Sequence, residues 1–179
     1  MGELTIDRVR GRETFAFSYD KAWLEGGLHH SLDPNLFLSV GRQFPPSERR
    51  VFGVFQDSSP DRWGRTLMRR REAQRAKAEG RAVRTLLDSD YLLGVHDEHR
   101  MGALRFRQDE RYLDDDAANA SPPWTSLREL QHASQKLEEQ GAADDPEYNR
   151  WLSLLLAPGS SLGGAHPKAS VVDPSGHLW

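Results

Sequence analysis

The sequence predicts an α+β chain: an N-terminal sheet-and-helix subdomain over about residues 1–110, then a part over 111–179 made of a helical link, a Gly-rich loop and short strands. Three observations predict it. Apolar and polar residues alternate along 4–9 and 14–19, the period of half-buried strands. Apolar residues recur at helical spacing in later stretches, most clearly 126–140 and 147–156. From Ala157 to Val172, glycines and small or hydroxyl residues lead to a lone lysine and a short β-branched run.

The 179 residues suffice for one domain or two small ones. Charged residues make up 28% and hydrophobic ones 37%, which is wetter than usual, yet five Trp, seven Phe and four Tyr can build a core. The net charge of −3 argues against a chain that binds nucleic acid over its whole surface. Without cysteine there is no disulfide framework and no Cys-ligated zinc. No apolar run reaches the roughly 18–20 residues of a membrane helix, and Met1–Thr5 lacks the basic and apolar regions of a signal peptide. A cytoplasmic protein with no membrane partner is expected.

In chain order, the alternating runs 4–9 and 14–19 flank Gly11 and predict an antiparallel hairpin, with Phe15, Phe17 and Tyr19 on one side. Asp20 is placed to cap a short helix over 21–25 that Gly26-Gly27 closes. Residues 35–40 read as a further strand. Ser47 and Glu48 suit the start of a short buried helix carrying Val51, Phe52, Val54 and Phe55. Ser59 and Pro60 open a long helix to about Ala78, ended by Gly80, with Trp63, Leu67 and Met68 inward. Arg62, Arg65, Arg69, Arg70, Arg71, Arg75 and Lys77 make most of its remainder basic. That cluster is either a solvated helix face or a contact for nucleic acid or an acidic partner. Tyr91–Gly94 suggests a short helix and 102–107 a strand. The acidic, Pro-ended stretch 109–123 is a link between subdomains. In the helix over 126–140, Leu127, Leu130, Ala133, Ser134 and Leu137 form the apolar face. A second helix over 147–156 docks through Tyr148, Trp151, Leu152, Leu154 and Leu155, and delivers the chain into the Gly-rich loop. Residues 171–179 read as strand, turn and the start of another strand. Their apolar Leu178-Trp179 ending suggests a fragment or one half of a split protein.

Pro158 stops the preceding helix, and Gly159, Gly163 and Gly164 allow main chain to approach a ligand closely. Such an N–H-rich loop can be a phosphate cradle or an ordinary connector. Gly159 and Gly164 have P-loop spacing, but Ala165 stands where that motif needs lysine. The G-x-G-x-x-G pattern is absent, which argues against a Rossmann fingerprint and the usual protein-kinase loop. His29-His30 and His96-Asp97-Glu98-His99 fall short of the three or four convergent ligands of a zinc site. Asp57 and Asp61 are explained as turn and helix-start residues.

Several stretches together resemble the HipA-like toxin kinases, serine/threonine kinases of bacterial toxin–antitoxin pairs. Gly2-Glu3-Leu4-Thr5, Thr14-Phe15-Ala16-Phe17 and Trp23-Leu24 are similar to the start of that family. The run from Val51 to Arg62 resembles its buried helix and Pro-Asp turn. Tyr91-Leu92-Leu93-Gly94 and Met101-Gly102-Ala103-Leu104 resemble its next helix–strand step, and Ser161 to Lys168 its divergent Gly-rich loop. The resemblance implies that 111–179 opens a protein-kinase-like N-lobe. It implies an ATP-binding loop at Gly163, Gly164, Ala165, His166, Pro167 and Lys168, with autophosphorylation at Ser161. ATP and Mg²⁺ are the implied cofactors of the complete enzyme. A DNA-binding antitoxin, with indirect DNA contact, and a protein substrate are the implied partners. The family's ATP-binding lysine and its catalytic and metal-binding aspartates have no match in this chain, so the chain alone is expected to be inactive. The alternative is a non-catalytic interaction module, a split or truncated toxin half that binds an antitoxin or a separate kinase core.

Overall fold

The computed structural model describes residues 1–26, 30–95, 100, 102–109, 111–112, 126–156, 171, 173–175 and 177. The chain is α+β, with helices and two small antiparallel sheets among the described residues. It forms two compact units: Met1–Asp57 with Leu87–Ser89, and Ser58–Leu86 with Asp90–Trp179.

The first unit is built on the hairpin of β1 (Gly2–Val9) and β2 (Arg12–Tyr19), in register from Gly2 opposite Tyr19 to Val9 opposite Arg12. Arg10 and Gly11 form the two-residue turn, at φ 52° and 76°. Positive φ at both positions suits the twist of the strands it joins. Phe15, Phe17 and Tyr19 are buried on one face, as the alternation predicts, and Ala16 is buried on the other. The Phe17 ring meets α2 (Gly53–Asp57) at Phe55, 5.6 Å between centroids, and lies 5.0 Å from the Tyr19 ring. Phe52, just before α2, is fully buried.

Three local expectations for this unit change. Asp20 precedes α1 (Lys21–Leu24) but makes no side-chain cap; its carboxylate accepts from the N-terminal ammonium at 2.9 Å instead. Ser47 does not cap α2, which begins six residues further on at Gly53; its hydroxyl donates to Glu48. Val54 N–H in α2 donates to Asp33 Oδ2 at 2.9 Å, so the capping group comes from far upstream. Residues 35–40 form turns and bends rather than a strand. There the Gln43 side chain takes both main-chain groups of Phe37, accepting from its N–H and donating to its carbonyl, each at 2.8 Å. Gln43's own main chain pairs with Phe17. With its backbone groups satisfied by an amide, the Phe37 segment has no strand partner to seek.

The second unit is organised by α3 (Arg62–Ala78), α5 (Leu127–Glu138) and α6 (Tyr148–Leu156). Asp61, not Ser59, caps α3: its Oδ1 accepts from Gly64 N–H at 2.8 Å. The helix ends as Gly80 predicts. Gly80 takes φ 63°, its N–H donates to Lys77 O, and Arg81 N–H donates to Ala76 O. This is the Schellman arrangement that glycine permits. Trp63, Leu67 and Met68 are buried as predicted and join Tyr91 of α4 (Asp88–Leu93), with Leu130, Ala133 and Leu137 of α5 and Tyr148, Leu152, Leu155 and Leu156 of α6, in one core. Leu127 departs from its predicted face and is 49% exposed, whereas Leu130, three residues on, is 3% exposed.

Residues 102–106 are not a strand; β3 (Arg107–Gln108) pairs with β4 (Arg111–Tyr112) in a short hairpin. Gly102 takes φ 82°, outside the extended region, and the guanidinium groups of Arg100 and Arg105 stack on the rings of Phe106 and Tyr112, at 4.6 and 4.0 Å. Most of the acidic link lies outside the described residues. Near the end of the chain Asp173 N–H donates to His177 O, and Asp173 Oδ1 accepts from the N–H groups of Ser175 and His177. The predicted turn is thus present, without assigned strands beside it among the described residues. No helix among the described residues is long and apolar enough to cross a membrane.

Candidate functional site

The site predicted from sequence is the Gly-rich loop. Ser161, Gly163, Gly164, Ala165, His166, Pro167 and Lys168 all lie outside the described residues, as does the rest of 157–170. The structure does describe what holds the two ends of that segment. The chain enters it from Leu156, the last residue of α6, which is 7% exposed. It leaves at Val171, 6% exposed, and both side chains belong to the same core with α3 and α5.

The sequence explains that base. In α6, Tyr148, Leu152, Leu155 and Leu156 fall at i, i+4, i+7 and i+8, one helical face. Trp151 and Leu154 flank it, half-buried. On α5 the matching stripe is Leu130, Ala133 and Leu137. The small Ala133 between two leucines lets the helices approach closely. Arg150 on α6 donates to Glu147 at 3.1 Å and to Glu129 on α5 at 3.0 Å, which raises its pKa.

A second candidate is the basic helix α3. Arg62, Arg69, Arg71 and Arg75 are exposed, and Arg65 and Arg70 are half-buried. Arg65 is held, with its guanidinium 4.5 Å over the Tyr91 ring and Nε donating to Pro60 O. Arg75 pairs with Glu79 at 3.3 Å. Glu72, the one acid inside the helix, is buried. It accepts from Arg81 Nη1 at 2.6 Å and from Arg84 N–H at 3.2 Å. The Arg81 hydrogen bonds outweigh desolvation, with help from Arg84, and pull the Glu72 pKa from 4.5 to about 2. Sequence reasoning missed this pair of roles. The signal was a single acid among the helix's cations, with two more arginines just past the Gly80 stop.

Two further buried polar groups are structural. Arg100 donates to the carbonyls of Ser58, Leu92 and Val95 at 3.1, 2.7 and 2.9 Å. In the first unit, Ser89 N–H and its hydroxyl donate to Glu13, while Arg8 donates to Ser89 Oγ at 2.7 Å. The histidine pair is described only at His30, which is exposed, and residues 96–99 lie outside the described set. Among the described residues no group of three or more His, Asp or Glu side chains is placed to hold a metal ion.

Comparison with known proteins gives one match. A family model described as the HipA N-terminal domain matches residues 1–107, more than half of the chain. No curated protein and no solved structure matches.

Proposed function

The chain belongs to the HipA N-terminal domain family, and from that premise we propose that it is the N-terminal part of a HipA-like toxin of a bacterial toxin–antitoxin system. The complete protein is an ATP-dependent kinase of protein serine or threonine. Residues 1–110 are its N-terminal subdomain, and 111–179 are the link, phosphate loop and first strands of a kinase-like lobe. The observation that carries this reading is the family match over 1–107, followed in the same chain by a glycine-rich segment whose flanks, Leu156 and Val171, share one core.

In this reading main-chain N–H groups at Gly163 and Gly164 meet phosphate oxygens, where a side chain would hold the ligand away. Ala165, His166 and Pro167 carry the loop onward to Lys168, whose ammonium adds a positive charge. ATP supplies the phosphoryl group, and Mg²⁺ offsets its charge when the complete enzyme is loaded. Phosphate on Ser161 adds nearly two negative charges beside a loop shaped for phosphates, and repulsion opens the loop. The partners are a DNA-binding antitoxin and the protein substrate. The chain carries the loop without the catalytic residues. Incubated alone with radiolabelled ATP and Mg²⁺, it is expected to label neither itself nor an added protein; transfer of label would refute that division of labour.

A second reading is a non-catalytic module that docks onto an antitoxin or a separately encoded kinase core. The observation behind it is that the matched domain, residues 1–107, lies wholly before the glycine-rich segment. A chain that binds a kinase core yet ignores ATP at any concentration tested would favour this reading over the first.

A further inference from the structure

We propose that the exposed face of α3 binds the phosphate backbone of a nucleic acid, an activity separate from the kinase reading. The charge of the chain is sharply segregated. Residues 60–86 hold nine cationic and three anionic side chains, a net +6; since the whole chain is −3, the remainder carries −9. Charge separated in this way marks a surface for a polyanion within a chain that is otherwise acidic.

The structure places part of that charge on one helix face. Arg62, Thr66, Arg69 and Ala73 lie at i, i+4, i+7 and i+11 of α3. Arg62 and Arg69 are exposed, and among the described residues neither is ion-paired to a carboxylate. Thr66 orders the pair: its hydroxyl donates to Arg62 O at 3.0 Å and accepts from Arg69 Nη2 at 2.9 Å. The helix's own acid, Glu72, is buried and committed to Arg81 and Arg84, so it does not cancel this face.

The same face argues for phosphates rather than a folded acidic protein. Protein interfaces are anchored by apolar or aromatic side chains at their centre. The large apolar residues of α3, Trp63, Leu67 and Met68, are all buried in the unit's own core. What remains outside is arginine, whose planar fork matches phosphate oxygens, separated by small residues that allow close approach. Nothing on this face reads base edges, so binding is independent of sequence and steeply dependent on salt.

The test is fluorescence anisotropy of a labelled duplex of about 20 base pairs, titrated with the full chain between about 50 and 200 mM KCl. Arg62→Glu with Arg69→Glu is expected to weaken binding at least about tenfold and to lower the salt slope by about 2, one for each phosphate no longer neutralised. Arg62→Gln with Arg69→Gln is expected to lower the slope equally, which keeps the test open if charge reversal disturbs folding. Arg12→Glu with Arg128→Glu, two exposed arginines elsewhere, is the control and changes the slope little. The proposal is overturned if the wild-type chain fails to bind at the lowest salt, or if the Arg62 and Arg69 variants bind as it does. It is equally overturned if poly-glutamate displaces the duplex as well as an equal charge of competitor DNA, which would assign the face to an acidic protein.

Discussion

Leu127 and Leu130 sit three residues apart on α5, and truncating each to alanine tests the core that carries the loop. Leu130 is 3% exposed and packs in the core with α3 and α6, whereas Leu127 is 49% exposed. Leu130→Ala removes the buried side chain's transfer energy and leaves a cavity in the shared core, a cost of about 3 kcal/mol within the range for buried leucines. Leu127 has already surrendered about half its area to water, so Leu127→Ala costs under about 1 kcal/mol. The difference of about 2 kcal/mol corresponds to about 4–8 °C in melting temperature for a chain of this size. Thermal and urea unfolding followed by tryptophan fluorescence reads it directly, because Trp63 and Trp151 line the same core. Equal shifts for the two variants, or a larger one for Leu127→Ala, would refute the helix phase and the common core derived from it.

Other outcomes follow from single groups. Asp33→Ala removes the acceptor for Val54 N–H and Asn35 N–H and is expected to cost about 1 kcal/mol by urea unfolding. Burial raises the Asp33 pKa, but those N–H donors more than offset it and hold the group below 3.8. Its stabilisation is therefore complete above that value and lost as pH falls through the folded value, and Asp33→Asn should flatten unfolding curves measured in that window. Glu72, lowered from 4.5 to about 2, behaves alike: its contribution is full above pH 4.5 and disappears as pH drops towards 2. Glu72→Gln should remove that slope, and an unchanged pH profile would sink the Arg81 pairing. At Gly94 a Cβ would stand 2.7 Å from Asp90 O and against Met68 Cε, so Gly94→Ala is expected to destabilise by about 1–3 kcal/mol. An unaltered urea midpoint would contradict that packing.

The hairpin was legible because its period is two and its turn holds a glycine; each buried residue of β2 except Ala16 lies on the predicted face. The long helix was legible through its inward Trp63, Leu67 and Met68 and its Gly80 stop. Its start was not, since Ser59 and Asp61 are both good caps and only the backbone path chooses Asp61. The cap of α2 was beyond any local pattern, because Asp33 reaches it from a distant loop. At 35–40, Phe37, Leu38 and Val40 have strand propensity, yet the Gln43 amide satisfies the backbone first. The burial of Glu72 was not legible in α3 alone, because it depends on arginines beyond the helix end. For the candidate loop, composition revealed the glycines and the lysine. What composition could not reveal is that Leu156 and Val171, on either side, meet in one core.

The proposal on which the functional reading turns is that residues 163–168 bind nucleotide phosphates. Isothermal titration of the purified chain with ATP and Mg²⁺, beside the double variant Gly163→Val with Gly164→Val, tests it most directly. The account predicts saturable binding by the wild-type chain that the double variant loses while keeping its unfolding midpoint. Absence of binding by the wild-type chain, or binding that survives in the variant, would contradict it.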